Sequence, residues 1–365
     1  MSNNGERSDG AIGAAAGKPG RRGDLDALRG FAMVLGIALH ATLAYFPFPW
    51  PVQDPRQARA FGLVFAFIHG FRMPLFFLLS GFFTMLVLER RGLRSLLAQR
   101  ALRILLPLAI ALVTILPLDR AVFSWALGGD LTPLEIPGRS RSLFDANVFD
   151  HLSFLWYLCW LAGIFALAAA LGLAPTGRHR WWLVPASCLP FARMWSPFGP
   201  DTALGILPVP HLLLFYGCFF WFGAGTYAAE GAGTPLGRRW PWLLPVAVLV
   251  LFPAGIATIG NRPLGAVLQP AFAWSMALGL IGLFRRCFAA ERPAVRWLSD
   301  AAYWMYLVHL PLVVVCQVAV RDLPWPAGAK FLAVLAAVVA LTLVSYRWCV
   351  RFTPIGWLLN GPRVR

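Results

Sequence analysis

The stretch LDALRGFAMVLGIALHATLAYF, residues 25–46, is an apolar segment of membrane length that carries an aspartate, an arginine and a histidine. About 20 mostly apolar residues are enough for a helix to cross a bilayer. Arg29 and His40 are eleven positions apart, so on an α-helix they share one face and lie about 16 Å apart along the axis. Asp26, three positions before Arg29, lies near the same face. Because ionisable groups inside a membrane are costly unless they face a polar cavity, this alignment predicts a functional site.

Each residue of this stripe also has a structural interpretation. Asp26 and Arg29 suit the start of a membrane helix, where a long basic side chain reaches the interface. His40 suits a hydrogen-bonded position between packed helices. The alignment of all three on one face favours the functional interpretation.

The composition of the whole chain indicates a polytopic membrane protein. Of 365 residues, 59% are hydrophobic and 13% are charged, whereas soluble proteins contain about 25% charged residues. The net charge of +16 comes from short basic clusters between apolar runs, so it indicates membrane topology and does not indicate a nucleic-acid partner. Six cysteines occur singly with no metal-like spacing, and we assign them no disulfide, metal or nucleophile role.

The apolar runs predict an all-α bundle of about ten transmembrane helices in one domain, residues 24–357. A cytoplasmic tail, residues 1–23, is expected to be disordered, and residues 358–365 form a short basic tail. The predicted spans cover residues 25–46, 61–88, 101–118, 151–173, 181–195, 209–228, 241–259, 265–287, 300–320 and 328–349.

The distribution of basic residues predicts the orientation of these spans. With both termini in the cytoplasm, 21 of the 32 Lys and Arg residues lie inside and 9 lie outside, as expected when cytoplasmic loops collect basic residues. The longest outside loop, residues 119–150, is acidic and contains helix-breaking prolines. It is either a connection or a cover over a substrate site. The expected location is a bacterial inner membrane.

The second span, in the stretch FIHGFRMPLFFLLSGFF, residues 67–83, places Arg72 and Ser80 in apolar sequence. An arginine near the middle of a membrane needs a carboxylate, a phosphate or water. Asp26 is the structural partner that the sequence offers for Arg72, and an anionic ligand is the functional one. Ser80 lies near the same helix face as Arg72, although a membrane serine usually bonds to its own backbone.

A dense basic cluster follows the second span and includes Arg100 and Arg103, which lie at i and i+3 on one side of a helix. One interpretation is anchoring at the cytoplasmic face. The other is a phosphate-binding mouth for a cytosolic donor, because guanidinium groups bind phosphate well.

Two further motifs place polar aromatic residues in apolar sequence. The stretch HLSFLWYL begins at His151, and YWMYLVHLPLV, residues 303–313, contains Tyr306 and His309. Tyrosine is common at membrane interfaces, and His309 has an alternative interpretation as a packing histidine.

In this order, LDALRG with its R-x10-H pattern, RMPLFFLLSGFF, the R-x-x-R of QRALRILLP, HLSFLWYL and YWMYLVHLPLV resemble the acyltransferase family 3 of integral membrane acyltransferases. The resemblance covers residues 24–357. The second and fourth motifs resemble most the glucan biosynthesis protein C-like branch, which implies succinyl transfer to periplasmic glucans.

The resemblance implies transfer of an acyl group from cytoplasmic acyl-CoA to a hydroxyl of an extracytoplasmic glycan. It implies catalytic roles for His40 and Arg29, and we expect Asp26 to belong to the same catalytic group because it lies near the same helix face. Donor-binding residues are expected to be Arg100, Arg103, Arg72 and Ser80, and the expected acceptor pocket contains His151, Tyr306 and His309.

His40 serves in this scheme either as a general base for the hydroxyl or as an acyl carrier. The negative charge on the carbonyl oxygen is expected to meet Arg29, Arg72 or Tyr306. Acyl-CoA is a co-substrate, and no permanently bound cofactor or metal is expected. The acyl group, the acceptor and the oligomeric state are not specified by the sequence.

Two other functions fit some of the pattern. A membrane transporter or exporter of a glycan or small anionic substrate also places Arg, His and Asp inside the membrane, but the sequence has no internal repeat of the kind found in many transporters. A scaffold that only anchors a partner enzyme explains the spans and leaves the aligned ionisable residues unexplained.

Overall fold

A computed structural model describes residues 22–129, 143–144, 147–202, 204–230, 236–290 and 292–360. The described chain is helical and contains no β-strand, which confirms the prediction of an all-α membrane bundle. The helices are α1 Gly23–Thr42, α2 Arg59–Arg100, α3 Leu106–Ala126, α4 Ser153–Ala170, α5 Leu183–Ala186, α6 Cys188–Phe191, α7 Pro210–Glu230, α8 Trp240–Val246, α9 Phe252–Ala257, α10 Arg262–Cys287, α11 Pro293–Arg321, α12 Ala327–Ser345 and α13 Pro354–Asn360.

Eight continuous helical runs in the described parts of the chain are long and apolar enough to cross a membrane. The run Arg59–Ala126 contains 68 residues, about 100 Å of helix, which exceeds a hydrocarbon core of about 30 Å. It is interrupted at Gly92, whose φ of 76° is left-handed and unfavourable for residues other than glycine. The run therefore divides at Gly92 into two segments, each long enough to cross the membrane.

The fifth predicted span, residues 181–195, does not form one membrane-length helix. It consists of a short 3₁₀ turn, Arg180–Trp182, followed by α5 and α6, which have four residues each. Pro185 and Pro190 lie inside this segment, and proline removes a backbone donor that a continuous helix needs. The following residues return into the bundle and line its interior.

The boundary of the third predicted span is also corrected by the structure. The apolar pattern predicts that this span ends at residue 118 and that Asp119 lies in an outside loop. In the structure α3 continues to Ala126, and Asp119 is fully buried within it. In sequence, a charged residue near the end of an apolar run suggests a loop, whereas in the structure the Asp119 carboxylate lies inside the bundle, 3.4 Å from Nδ1 of His151. Residues 130–142 and 145–146 of the predicted loop lie outside the described residues.

Helices pack closest where glycine removes a side chain from the contact. On α2, a Cβ at Gly81 would overlap the carbonyl of Phe220 on α7, and a Cβ at Gly223 on α7 would overlap the carbonyl of Leu78. Small residues of this kind let membrane helices approach closely. Gly30 similarly seats α1 against Leu298 of α11. These contacts hold α2 against α7 and α1 against α11.

A buried ion pair joins the segment after α1 to the start of α12. Lys330 Nζ on α12 lies 2.7 Å from Asp54 Oδ2, and the two side chains are 1% and 2% exposed. Lys330 Nζ also donates to the carbonyl of Arg321 at 2.5 Å. The backbone N–H of Asp54 donates to the carbonyl of Ala44, so the ion pair holds the segment that contains Trp50 against the end of α1.

We expect Lys330→Met to lower the free energy of unfolding by about 3–5 kcal/mol, because it leaves the Asp54 carboxylate buried without its cation. Thermal unfolding of the purified protein in detergent measures this. The control is Asp322→Asn, which removes an ion pair with Arg321 whose aspartate is 81% exposed, and exposed pairs contribute little. Equal stability of Lys330→Met and the wild type would contradict the role of this pair.

Candidate active site

A cavity of about 1560 Å³ lies between the helices. Its lining residues on α2 run from Gly62 to Arg91, a rise of about 44 Å, which is more than the hydrocarbon thickness of a bilayer. One end is lined by Arg90, Arg91 and other arginines, and the opposite end by Trp50 and neighbouring residues. The cavity therefore extends along the full membrane-crossing part of α2.

The lining of the cavity is strongly basic. Its described charged residues comprise seven arginines and two aspartates, namely Arg29, Arg72, Arg90, Arg91, Arg100, Arg103, Arg120, Asp150 and Asp201. An excess of arginine in a cleft with apolar walls favours anionic ligands. Nine of the ten site residues predicted from the sequence line this cavity among the described residues, and Asp26 is the exception.

His40 projects from α1 into the cavity and is held between aromatic rings. Its ring stacks on Trp50 with centroids 6.0 Å apart and an interplanar angle of 26°, and it lies 5.2 Å from the ring of His309. Nδ1 of His40 is buried and has no hydrogen-bond partner among the described residues. Because His40 is only half-buried, the opposite edge of its ring meets the cavity.

A glutamine on α11 fixes both the end of α1 and the ring that covers His40. Trp50 Nε1 donates to Gln317 Oε1 at 2.7 Å. The amide nitrogen of Gln317 in turn donates to the carbonyls of His40 and Ala41 at 3.3 and 3.2 Å. The sequence alone does not indicate Trp50 or Gln317 as site residues, because a single glutamine and a loop tryptophan carry no spacing signal.

Arg29 and Asp26 meet through a serine of α11. Arg29 Nη2 donates to the carbonyl and the hydroxyl of Ser299 at 3.0 and 2.9 Å, and the Ser299 hydroxyl donates to Asp26 Oδ1 at 3.2 Å. Arg29 Nη2 also lies 3.7 Å from Asp26 Oδ1. Asp26 thus lies behind Arg29 and orients it toward the cavity.

The Arg72 guanidinium contacts α1 at Gly36, one turn before His40. A Cβ at Gly36 would overlap Nη1 of Arg72, so the absence of a side chain at Gly36 makes room for the guanidinium. Asp26, the partner that the sequence offered, pairs with Arg29 instead. Nε of Arg72 is buried without a hydrogen-bond partner in the described structure.

The arginine pair near the other end of the cavity is held by α2 and a π-helical turn. Arg100 Nη2 donates to Thr84 Oγ1 at 2.7 Å, and this hydroxyl donates to the carbonyl of Ser80. Arg103 lies in the π-helical turn Ala101–Leu105, a feature often found at functional sites. The Tyr303 hydroxyl donates to the Arg103 carbonyl at 3.0 Å. The Arg103 side chain lines the cavity.

His151, Tyr306 and His309 form a buried cluster beside His40. The Tyr306 hydroxyl donates to the carbonyl of His151 at 2.7 Å, so this hydroxyl is already engaged and is less available to stabilise a reacting oxygen. The His151 ring lies edge-on to His309, with centroids 5.3 Å apart. Nδ1 of His151 lies 3.4 Å from Asp119 Oδ2, and both side chains are almost fully buried.

The short helices that replace the fifth predicted span lead into a loop that forms part of the cavity wall. His69 Nε2 lies 2.8 Å from the Pro200 carbonyl, and Gln269 accepts from the N–H of Gly199 at 2.7 Å. Asp201 accepts bonds from the N–H groups of Trp195 and Ser196. Burial raises the pKa of the Asp201 carboxyl, and these backbone donors partly oppose the rise.

Comparisons with known proteins show the family of the chain. A family model described as an acyltransferase domain, that of acyltransferase family 3, matches residues 22–347. The chain is 30% identical to "Glucans biosynthesis protein C" of Escherichia coli O81 (strain ED1a) and of Escherichia coli (strain SMS-3-5 / SECEC), over 93% of this chain and 94% of each relative. No solved structure matches the chain. The protein is therefore a member of the acyltransferase 3 family, with long apolar helices typical of a multi-pass membrane protein.

Proposed function

We propose that the protein transfers an acyl group from cytoplasmic acyl-CoA to a hydroxyl of an extracytoplasmic glycan. The observation that carries this proposal is the basic cavity, which extends along about 44 Å of α2 and has His40 in its wall. A cavity of this length lets donor and acceptor approach from opposite faces of the membrane. The name of the relatives, "Glucans biosynthesis protein C", points to a glucan as the acceptor.

The proposed topology has ten crossings with both termini in the cytoplasm of a bacterial inner membrane, and the fifth crossing is the broken segment that contains α5 and α6. Two ion pairs support this topology, because each joins residues that the topology puts on the same face of the membrane. Asp24, at the start of α1, lies 3.8 Å from Arg285, at the end of α10, and both are expected inside. Asp54 and Lys330 pair at the opposite face, where both are expected outside.

The donor is proposed to enter at the arginine end of the cavity. Arg100 and Arg103 are suited to the phosphates of CoA, because guanidinium groups form paired, charge-assisted hydrogen bonds with phosphate. Ser80 lies on the cavity wall between this end and Arg72, and Arg29 extends the basic surface toward His40. The thioester then reaches the reacting residues, while the nucleotide part stays on the cytoplasmic side.

His40 is proposed to remove the proton from the acceptor hydroxyl. The hydroxyl oxygen bonds to the thioester carbonyl carbon, and its proton moves to His40. Collapse of the tetrahedral intermediate breaks the carbon–sulfur bond, and the thiolate takes the proton from His40 as CoA leaves. The same residue serves in the alternative acyl-histidine route, in which it first accepts the acyl group itself.

Arg72 is the best-placed group for the negative charge on the carbonyl oxygen. Its guanidinium lies at Gly36, one turn from His40 on α1. Tyr306 is less suited, because its hydroxyl donates to the carbonyl of His151. A cation already positioned at the reacting oxygen lowers the barrier without reorganisation.

A transporter for a glycan or small anionic substrate is the second candidate, because the length of the cavity also suits a permeation path. Family membership supports acyl transfer instead. Mass spectrometry of envelope glycans from cells with and without the gene separates the two functions. An acyl mass increment that requires the gene supports the transferase, whereas unmodified glycan that accumulates inside cells lacking the gene supports the exporter.

We expect His40→Ala to lower acyl transfer by about 10²–10⁴-fold, because removal of a general base costs a rate factor of this size. Mass spectrometry of glycans from cells that make equal amounts of each variant measures the effect. The control is His179→Ala, which removes an exposed loop histidine. Near-normal acylation by His40→Ala would contradict the catalytic role of His40.

Replacement of both Arg100 and Arg103 by Gln should weaken CoA binding by at least about 10-fold, because hydrogen bonds to charged groups contribute about 1.5–3 kcal/mol each. Calorimetry with CoA and the purified, correctly inserted protein measures the affinity. The control is Arg238→Gln with Arg239→Gln, which removes two exposed arginines expected on the same face. Unchanged CoA affinity in the first variant would assign Arg100 and Arg103 to membrane anchoring.

Gly36→Ala should lower kcat by at least about 10-fold and leave CoA affinity unchanged, because the new methyl group displaces Arg72 from the reacting oxygen. The control is Gly163→Ala on α4, where a Cβ meets nothing within 4 Å. Measurement of kcat and of CoA affinity in both variants tests the role of Arg72. Equal kcat values for the two variants would mean that Arg72 does not act at this position.

A further inference from the structure

The loop of residues 194–201, which follows α6, enters the bundle beside α2. His69 lies ten residues after the start of α2 at Arg59, about 15 Å along the helix. Nε2 of His69 lies 2.8 Å from the carbonyl of Pro200 in this loop. His69 is also three residues before Arg72, a little less than one helical turn. The tip of the loop therefore lies inside the bundle, beside the turn of α2 that precedes Arg72.

The backbone at Gly199 holds the tip of the loop in place. Gly199 has a φ of 82°, a left-handed conformation that suits glycine, and a Cβ at this position would overlap the ring of His69. The N–H of Gly199 donates to Oε1 of Gln269 at 2.7 Å, and Nε2 of Gln269 donates to the carbonyl of Pro197 at 3.2 Å. Side chains of α2 and α10 thus fix the backbone of the loop.

Phe198 holds the same loop in the apolar core. It is 4% exposed, and its ring packs edge-on against the rings of Phe252 and Phe272, with centroids 5.3 and 5.8 Å apart. A Cβ at Gly70 on α2 or at Gly255 on α9 would overlap this ring, so both glycines make room for it. Contacts with α2, α9 and α10 therefore restrict movement of the loop.

Trp195 differs from these buried residues of the loop, because its side chain is 60% exposed and lines the cavity that contains His40. Its backbone is nevertheless fixed, since its N–H donates to both carboxylate oxygens of Asp201, at 3.1 and 3.2 Å. Asp201 also accepts from the N–H of Ser196 at 2.7 Å. A large aromatic ring on a fixed backbone is pre-organised for a ligand, because little conformational freedom is lost on binding.

Membrane anchoring is the other interpretation of an exposed tryptophan, because tryptophan is common at membrane interfaces. Trp325 is 44% exposed and is expected on the same face of the membrane, and it is not among the described residues that line the cavity. Trp195 does line the cavity, which favours contact with a ligand. Trp325 therefore provides a matched comparison for Trp195.

A second exposed aromatic surface lines the cavity near this loop. Phe48 is 39% exposed, and its ring lies with those of Phe46 and Phe65 in a group whose centroids are between 5.5 and 5.7 Å apart. Phe65 stacks on His69 at 5.2 Å, and all four residues line the cavity. Because His69 also contacts Pro200, this aromatic surface is joined to the loop.

Polar groups lie beside the loop as well. Nη2 of Arg120 donates to the carbonyl of Asn147 at 3.0 Å, and both residues line the cavity. The N–H of the next residue, Val148, donates to the carbonyl of Leu204 at 3.1 Å, three residues after Asp201. A sugar ring has an apolar C–H face that packs on an aromatic ring, and its hydroxyl groups need hydrogen-bond partners. Exposed rings next to polar groups therefore suit a carbohydrate better than a lipid chain.

We propose that the loop of residues 194–201 forms the acceptor subsite, in which Trp195 stacks on a sugar ring of the glycan chain. This subsite rests on the proposed function, because the glycan is the proposed acceptor. Trp195 contacts the sugar, and Asp201 is a positioning residue that holds the backbone of Trp195. The glycan enters from the extracytoplasmic side, and one hydroxyl of the bound chain reaches His40.

Glucan binding by Trp195 variants tests the subsite without the transfer reaction. The full-length protein in lipid nanodiscs is titrated by calorimetry with unmodified glucan purified from cells that lack the gene. We expect Trp195→Ala to weaken glucan affinity by at least about 10-fold, because truncation of a tryptophan at the centre of a binding site has an effect of this size. CoA affinity should stay unchanged. Trp195→Phe keeps an aromatic ring and should stay within about 3-fold of the wild type.

The matched control is Trp325→Ala, which should bind the glucan as the wild type does. Equal glucan affinity of Trp195→Ala and the wild type would overturn the proposal. An equal loss of affinity in Trp195→Ala and Trp325→Ala would also overturn it and would assign Trp195 to membrane anchoring. A wild-type protein that does not bind the glucan would overturn it as well.

A double-mutant cycle tests the positioning role of Asp201. We expect Asp201→Ala to weaken glucan affinity by about 5-fold or more, whereas Asp201→Asn keeps an oxygen for the N–H of Ser196 and should lose less. In the Trp195→Ala background, Asp201→Ala should cause no further loss of affinity, because the ring that it positions is already absent. Additive losses would mean that Asp201 acts on the glucan independently of Trp195, which would contradict its positioning role.

Failure of this proposal is distinguishable from failure of the proposed function. If envelope glycans carry no acyl mass increment that requires the gene, acyl transfer fails whatever Trp195 does. If the increment requires the gene and Trp195→Ala binds the glucan normally, acyl transfer stands and the proposed subsite fails.

Discussion

The cost of placing arginine and histidine inside a membrane is the constraint on which the rest of this structure depends. Arg72 lies in an apolar helix with no carboxylate in an ion pair with it among the described residues. A charge at this depth persists when it faces water or an anionic ligand. The bundle therefore encloses a cavity of about 1560 Å³, and α1, α2, α4 and α11 turn their polar side chains toward it. The same constraint explains why the polar side chains of these helices share one cavity.

Close helix packing allows these side chains to meet. Glycines at the contact between α2 and α7 bring the two backbones together, and Gly36 leaves space on α1 for the Arg72 guanidinium. Membrane helices associate without a strong hydrophobic driving force, so small residues at contacts have a large influence on geometry. The position of Arg72 relative to His40 is therefore a consequence of an absent side chain.

The end of the cavity near Trp50 depends on contacts from distant parts of the chain. Lys330 holds Asp54 in the segment after α1, and Gln317 binds Trp50 while it also binds the last turn of α1. Together they keep the indole on the His40 ring. The stability of this face and the orientation of the reacting imidazole thus depend on the same set of contacts.

The sequence by itself determined the fold class and the family. It also indicated ten site residues, of which nine line the cavity among the described residues. Apolar segments of about 20 residues and an eleven-residue spacing are local properties, and the bilayer converts them directly into helices with a polar stripe. Local patterns predicted a loop at Asp119 and one span over residues 181–195, and both predictions were wrong. A charge near a helix end and two prolines in an apolar run do not reveal which residues will pack against them. Three contacts were decided only by tertiary structure. Asp119 lies next to His151, Asp26 contacts Arg29 through Ser299, and the Arg72 guanidinium occupies the space at Gly36. Each of these contacts involves residues on two different elements of the fold. How closely those elements approach is set by helix packing, which the spacing of residues along the chain does not encode.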